Sequence, residues 1–188
     1  QVYLHKTTIA ADQILLNLLK RAKKLVSQNH QLQASPFLQF FLNNPFYKED
    51  LIHIDVIENF CNLDDSEIYS AVKQWQFHQD KTLSKLCKML INRTLLKIEL
   101  SDTPISTNKI NQAIKDVTHL LQVSNEEATY FVTTGELKNK AYSNLGNTLK
   151  IGMKNGELKE LSETSEIYNL THDQEPHVKY FITSLKID

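Results

Sequence analysis

The feature that most limits how this chain folds is the run from Tyr3 to about Val26. Ile14, Leu15, Leu18, Leu19, Ala22, Leu25 and Val26 recur there at helical spacing. That period draws one apolar stripe along a helix, and such a helix is stable only when the stripe is packed. Lys20, Arg21, Lys23 and Lys24 gather near its C-terminal end, where cations complement the helix dipole. The head of the run, Tyr3-Leu4-His5-Lys6, carries an aromatic hydroxyl, an imidazole and an ammonium within four residues. If the helix already includes Tyr3, about 100° per residue sets Tyr3 and His5 roughly 200° apart and brings Lys6 within about 60° of Tyr3. One helix start then faces two anionic ligands at once.

Further along, Ser27 to Ala34 reads as a polar connection. Ser35-Pro36 opens a short helix, with proline at its favoured first position. Phe37, Leu38, Phe40, Phe41 and Leu42 make that helix apolar nearly all round, which predicts burial or a partner, and Asn43-Asn44-Pro45 ends it. Leu51 to Phe60 predicts another short helix. Asp64 caps the next, with Glu67 expected to reach back and Leu63 to staple to Ile68; Ile68, Ala71, Val72 and Trp75 form its inner stripe. After a break at His78-Gln79-Asp80, the residues Leu83, Leu86, Cys87, Leu90 and Ile91 mark a further helix.

The period then changes. Leu96, Ile98 and Leu100 alternate with Lys97 and Glu99, a strand pattern. Beyond Pro104, Ser106 caps a helix with Ile110, Ala113, Ile114, Val117, Leu120 and Leu121 inward. Ala128 to Val132 reads as a short strand, and Lys138 to Asn147 as a polar loop. Thr148–Lys154 and Glu157–Leu161 flank Asn155-Gly156, the strongest hairpin signal in the chain. Thr164 to Asn169 reads as one helical turn and His177 to Ile182 as a closing strand. The expected fold is α+β and mainly helical. A helical region over residues 1–104 leads into a small mixed α/β subdomain over 105–188, with a C-terminal antiparallel hairpin sheet.

Composition narrows the function. The 188 residues are 41% hydrophobic and 23% charged, with 21 basic and 22 acidic side chains and a net charge of −1. A broad nucleic-acid surface normally shows a basic excess, so nucleic acid is not an expected partner. No apolar run approaches the roughly 18 residues of a membrane span, and no signal peptide is visible. Cys61 and Cys87, far apart and in no Cys-x-x-Cys pattern, are expected to be reduced, buried and inert, which suits a cytoplasm. Gln1 is not an initiator Met, and no capping residue precedes Val2-Tyr3. The expectation is a chain cut from a longer one.

Three segments carry a resemblance. Tyr3-Leu4-His5-Lys6 before a long amphipathic helix resembles the Tyr-x-His-Lys segment of the HD-domain nucleotide phosphohydrolases, a group that includes the deoxynucleoside triphosphate triphosphohydrolases. Asp64 to Leu100, with its acidic helix start and its Arg93-Thr94-Leu95-Leu96-Lys97 string ahead of a strand, resembles a second part of that family. The Lys-Asn-Gly hairpin, the Ser-Glu-x-Ser that follows and the Val178-Lys179-Tyr180-Phe181 strand resemble its C-terminal subdomain. The resemblance implies that Tyr3 contacts substrate in the catalytic pocket. It also implies that His5, Lys6, Arg93 and Lys97 face a regulatory nucleotide at a subunit interface. The same residues equally suit a half-buried aromatic, a solvated helix end and the wet face of a strand.

The family's reaction needs a metal held by a His, a His-Asp pair and a further Asp. In the family those ligands precede the Tyr-x-His-Lys segment, so the resemblance places the divalent metal, and catalysis, in an HD domain ahead of this chain. His172-Asp173 reads as a loop pair. His78-x-Asp80 is a poor chelate, because residues two apart on a helix diverge. No His-Glu-x-x-His, calcium loop, phosphate loop or nucleophile elbow occurs. The implied partners are the chain's own HD domain, further copies in a homo-oligomer, and a nucleotide or other phosphorylated small molecule. Two other readings stay open: a non-catalytic helical protein–protein interaction module that docks through Phe37, Phe40 and Phe41, and a nucleic-acid binder using Lys20, Arg21, Lys23 and Lys24.

Overall fold

Helix α1 (Lys6–Ser27) is the element against which much of the rest packs. The computed structural model describes residues 5–138, 150–153, 156–160 and 178–186. Ile14, Leu18, Ala22 and Leu25 of α1 are buried as the periodicity requires. Tyr3 lies outside the described residues. The helix begins at Lys6, and His5 is its N-cap, with extended backbone and Nδ1 accepting from the Thr7 N–H at 3.3 Å. His5 therefore stands at the cap of the helix and not within its first turn. The imidazole instead satisfies one of the amides that a helix start leaves unpaired.

Helix α2 (Pro36–Asn43) is capped by the Ser35 hydroxyl and buries Leu38 and Leu42. A 3-10 helix (Lys48–Ile52) and α3 (Ile54–Cys61) replace the single helix expected over 51–60. Cys61, at the end of α3, is exposed rather than buried. Asp64 caps α4 (Asp65–Trp75), its Oδ1 accepting from the Ser66 and Glu67 amides. Glu67 does not complete the box: its Oε2 is buried with no hydrogen-bond partner. Trp75 is enclosed, and its indole N–H donates to the Gln33 carbonyl at 2.8 Å, pinning the connection before α2. Helix α5 (Lys81–Ile91) supplies Leu83, Leu86 and the buried Cys87, whose thiol is pushed up to about 12 by burial.

Strand β1 (Lys97–Ser101) follows, then α6 (Thr107–Leu121), capped by Ser106, and the short α7 (Asn125–Ala128). The strand expected over Ala128–Val132 is not there. Ser124 and Glu127 form a reciprocal capping box, with Ser124 Oγ accepting from the Glu127 amide at 3.2 Å and Glu127 accepting from the Ser124 amide at 3.0 Å. That box turns the segment helical; Ala128 is buried at the end of α7 and Phe131 from the turn that follows. Strand β2 (Thr134–Lys138) comes only afterwards. Leu120, expected inward, is substantially exposed, and so is Leu100 near the end of its alternating row.

Strands β3 (Lys150–Gly152) and β4 (Leu158–Glu160) form the expected antiparallel hairpin, with Gly156 at positive φ in its turn. Strand β5 (Val178–Ser184) is the centre of a three-stranded antiparallel sheet in the order β1-β5-β2. Ile98 stands opposite Thr183, and Thr134 opposite Ile182. The sheet thus joins a strand before residue 104 to two after it. The buried Thr183 hydroxyl donates to the Phe131 carbonyl at 2.9 Å and accepts from the Thr133 amide at 2.7 Å. The turn after α7 is thereby fastened to the sheet. The fold is α+β and mainly helical. No helix among the described residues is long and apolar enough to cross a membrane.

Candidate functional site

Helices α1 and α5 lie side by side, and their direction decides where the expected site residues go. Arg21, late in α1, meets Asp80, the N-cap of α5, so the helices run antiparallel. The C-terminal end of α5 and the start of β1 therefore come to the N-terminal part of α1. Ile9 and Ala10 there join Ile98 and Phe181 in a small apolar cluster, with Leu95 packed against it.

The four expected nucleotide contacts stand at the start of α1, just beyond α5 and at the start of β1. His5 is occupied as the cap of α1. Lys6 begins the helix and is exposed. Arg93 is exposed just beyond α5 in the left-handed region, at φ 55°. Lys97 opens β1 and lines a cleft. Tyr3 lies outside the described residues.

The cleft holds about 540 Å³ between α6, β1 and β5, over a floor that includes Val117, Ile182 and Leu185. Across its mouth Glu99 is held by two ammoniums: Lys97 Nζ lies 2.9 Å from Oε1 and Lys109 Nζ 2.7 Å from Oε2. The hydrogen bond from Lys109, then that from Lys97, keeps the Glu99 carboxyl at about 2. Lys186 and Asp116 complete the polar rim. Two ammoniums converging on one carboxylate form an anion site that the chain already fills.

Sequence reading noted Glu99 only as a residue on the wet face of a strand, and missed Lys109, Asp116 and Lys186 as partners. Lys109, Gln112 and Asp116 are spaced along one face of α6, so a polar stripe was legible. That this stripe faces β1 was not, because no local rule pairs a helix with a preceding strand.

Other candidate chemistry is absorbed by structure. Asp80 accepts from Arg21 and from the Leu83 amide, while His78 Nδ1 accepts from the Asp80 amide at 3.0 Å. The His78-x-Asp80 pair is thus spent on starting α5. His172-Asp173 lies outside the described residues. Among the described residues no three His, Cys, Asp or Glu side chains converge as a metal site. Of the basic cluster in α1, Arg21 is buried, Lys23 donates to the Asn44 carbonyl, and Lys24 pairs with Glu126.

With this geometry in hand, similarity to a solved protein is decisive for the fold. A crystal structure of a phosphohydrolase from Bacteroides thetaiotaomicron superposes with a TM-score of 0.80 at 36% identity, over 98% of this chain and 46% of that one. The fold is phosphohydrolase-related. The uncharacterized protein YwfO of Bacillus subtilis is 27% identical over 174 residues, which are 89% of this chain and 37% of the relative. This phosphohydrolase-related chain therefore spans less than half the length of either protein. No protein-family model matches it.

Proposed function

We propose that this chain is the C-terminal portion of a metal-dependent HD-type nucleotide phosphohydrolase of the deoxynucleoside triphosphate triphosphohydrolase kind. The observation that carries the reading is the 36% identity to a phosphohydrolase across nearly the whole chain. The Tyr3-Leu4-His5-Lys6 string and the Arg93 to Lys97 string support the finer assignment. In this reading Tyr3 contacts substrate, and His5, Lys6, Arg93 and Lys97 contact a regulatory nucleotide where copies of a cytoplasmic homo-oligomer meet.

Among the described residues no three His, Cys, Asp or Glu side chains could hold a divalent metal, and in this reading the HD domain of the complete protein holds it. What this chain supplies is charge and position. Lys6 and Arg93 make no ion pair with a described residue and are free to answer phosphate. Lys97 does so by leaving Glu99. An exposed ammonium–carboxylate pair is worth only about 0–1 kcal/mol, so a polyphosphate readily takes that lysine over.

The test uses the complete protein, assayed for triphosphate release from a panel of deoxynucleoside triphosphates with added Mg2+ or Mn2+. Activity on at least one, lost when the upstream His-Asp pair is replaced by alanines, is the expected result. Hydrolysis of other phosphate esters with no nucleotide turned over overturns the nucleotide assignment.

A further inference from the structure

Glu99 occupies a place built for an anion. Lys97 and Glu99 are two apart on β1, so their side chains leave the same face of the strand, and both line the cleft beneath α6. Lys109 comes from the first turn of α6 and closes on the same carboxylate, each ammonium on its own oxygen. Two ammoniums meeting two anionic oxygens is also how charge-assisted hydrogen bonds hold a phosphate. The clasp is made wholly within this chain, between one strand and one helix.

Stability does not account for the arrangement. Strand β1 is already paired with β5 from Lys97 to Ser101. Helix α6 is anchored by the buried Val117, with Ile110, Ala113 and Ile114 packed against the core. All three charged side chains are substantially exposed, and exposed ion pairs add little to stability. Lys109 also stands in the first helical turn, where the dipole disfavours a cation. With its carboxyl held at about 2, Glu99 keeps its charge near neutral pH, so the two ammoniums always have an anion within reach.

We propose that Glu99 is a tethered competitor at a phosphate site. A ligand phosphate takes Lys97 and Lys109 together in its place, so Lys109 is a second contact and Glu99 sets the ligand concentration needed. That role depends on Lys97 meeting a nucleotide, the reading proposed for this chain, and adds to it a contact from α6 and a threshold. The cleft, at about 540 Å³, lies in the size range of small-molecule sites.

The experiment uses the complete protein at one fixed concentration. Labelling of Lys97 and Lys109 by an amine reagent is followed by peptide mass spectrometry as the hydrolysis-resistant α,β-imido analogues of dATP, dGTP, dCTP and dTTP are raised in turn. In the parent, at least one nucleotide should protect both lysines at a common midpoint, and its deoxynucleoside neither. Glu99→Gln removes the competing charge and should lower that midpoint about three- to tenfold. Glu99→Asp, which keeps the charge on a shorter arm, should fall between. Adding Lys109→Ala to Glu99→Gln should reverse most of the gain at Lys97. Protection of Lys97 alone, or an unchanged midpoint in both Glu99 variants, overturns the competitor role and leaves the nucleotide reading standing. Protection of neither lysine, in the parent or in Glu99→Gln, overturns that role and the nucleotide contact at Lys97 with it.

Discussion

Arg21 and Asp80, 59 residues apart in sequence, are joined by two parallel hydrogen bonds, Nε to Oδ1 at 3.1 Å and Nη2 to Oδ2 at 2.5 Å. The same Nη2 reaches Glu127 Oε1 at 3.0 Å, and the guanidinium lies 5.5 Å from the Tyr130 ring centroid. One side chain thus fastens α1 to the start of α5 and to α7. Hydrogen bonding to Asp80 raises the Arg21 guanidinium above its ordinary value, against the cost of burial.

Removing that guanidinium leaves a largely buried carboxylate without its partner. Breaking a buried pair from one side typically costs about 3–5 kcal/mol. Arg21→Ala should lose about that much in urea denaturation. Arg21→Lys should fall between, because an ammonium cannot keep both parallel bonds. A loss below about 1 kcal/mol for Arg21→Ala would place the pair with ordinary surface bridges.

Acid should act through the same contact. Burial works against the charged form of Asp80, but the bond from Arg21 and that from the Leu83 amide, with the Arg21 charge, hold its carboxyl below the ordinary 3.8. A folded value below the unfolded one means stability that is fully present above the unfolded value and lost as pH falls through the folded one. The loss therefore belongs below about pH 4. Thermal melts of Asp80→Asn should show a shallower acid limb than the parent there. Glu99 provides a separate reading by carbon NMR: its carboxyl should titrate near 2 and move toward 4.5 in Lys109→Ala.

Gly135 is required by its neighbour. A Cβ at that position would come within 2.6 Å of the Phe181 ring, and Phe181 is buried against Ile9, Ala10 and Ile98. Gly135→Ala should therefore destabilise by about 1–3 kcal/mol through overpacking. The double change Gly135→Ala with Phe181→Leu should recover part of that loss, measured by the same denaturation. If the double variant is as unstable as the sum of the single changes, the clash is not the cause.

In the complete protein the two groups of residues should fail differently. Tyr3→Ala should lower turnover at every substrate concentration. Lys6→Ala should weaken nucleotide activation and nucleotide-dependent assembly instead. For Arg93 the informative change is to glycine, which removes the charge and relieves the left-handed backbone at φ 55°. Loss of one charged hydrogen bond costs about 1.5–3 kcal/mol, or roughly ten- to a hundredfold in affinity. Kinetics with and without activating nucleotides, beside sizing of the oligomer, separate the outcomes. Wild-type behaviour of Lys6→Ala and Arg93→Gly in both would make these residues plain surface charges.

What the sequence determined by itself is what depends on neighbours along the chain. The stripe Ile14 to Leu25, the caps at Ser35, Asp64 and Ser106, and the turn at Gly156 are all set within a few residues. Each appears where the spacing predicts it. Ser124-x-x-Glu127 was equally local and would have predicted α7, but the apolar run after it reads as a strand. Short apolar runs do not distinguish the two states by period. Tertiary structure alone decided the rest. That Asp80 receives Arg21, that Lys109 shares Glu99 with Lys97, and that Phe181 leaves no room at Gly135 all follow from how helices and strands cross. Such contacts join residues far apart in sequence, and no pattern within one element encodes them. The same holds for the candidate site. Lys97 could be singled out in advance, but its cleft exists only because α6 folds back over β1 and β5.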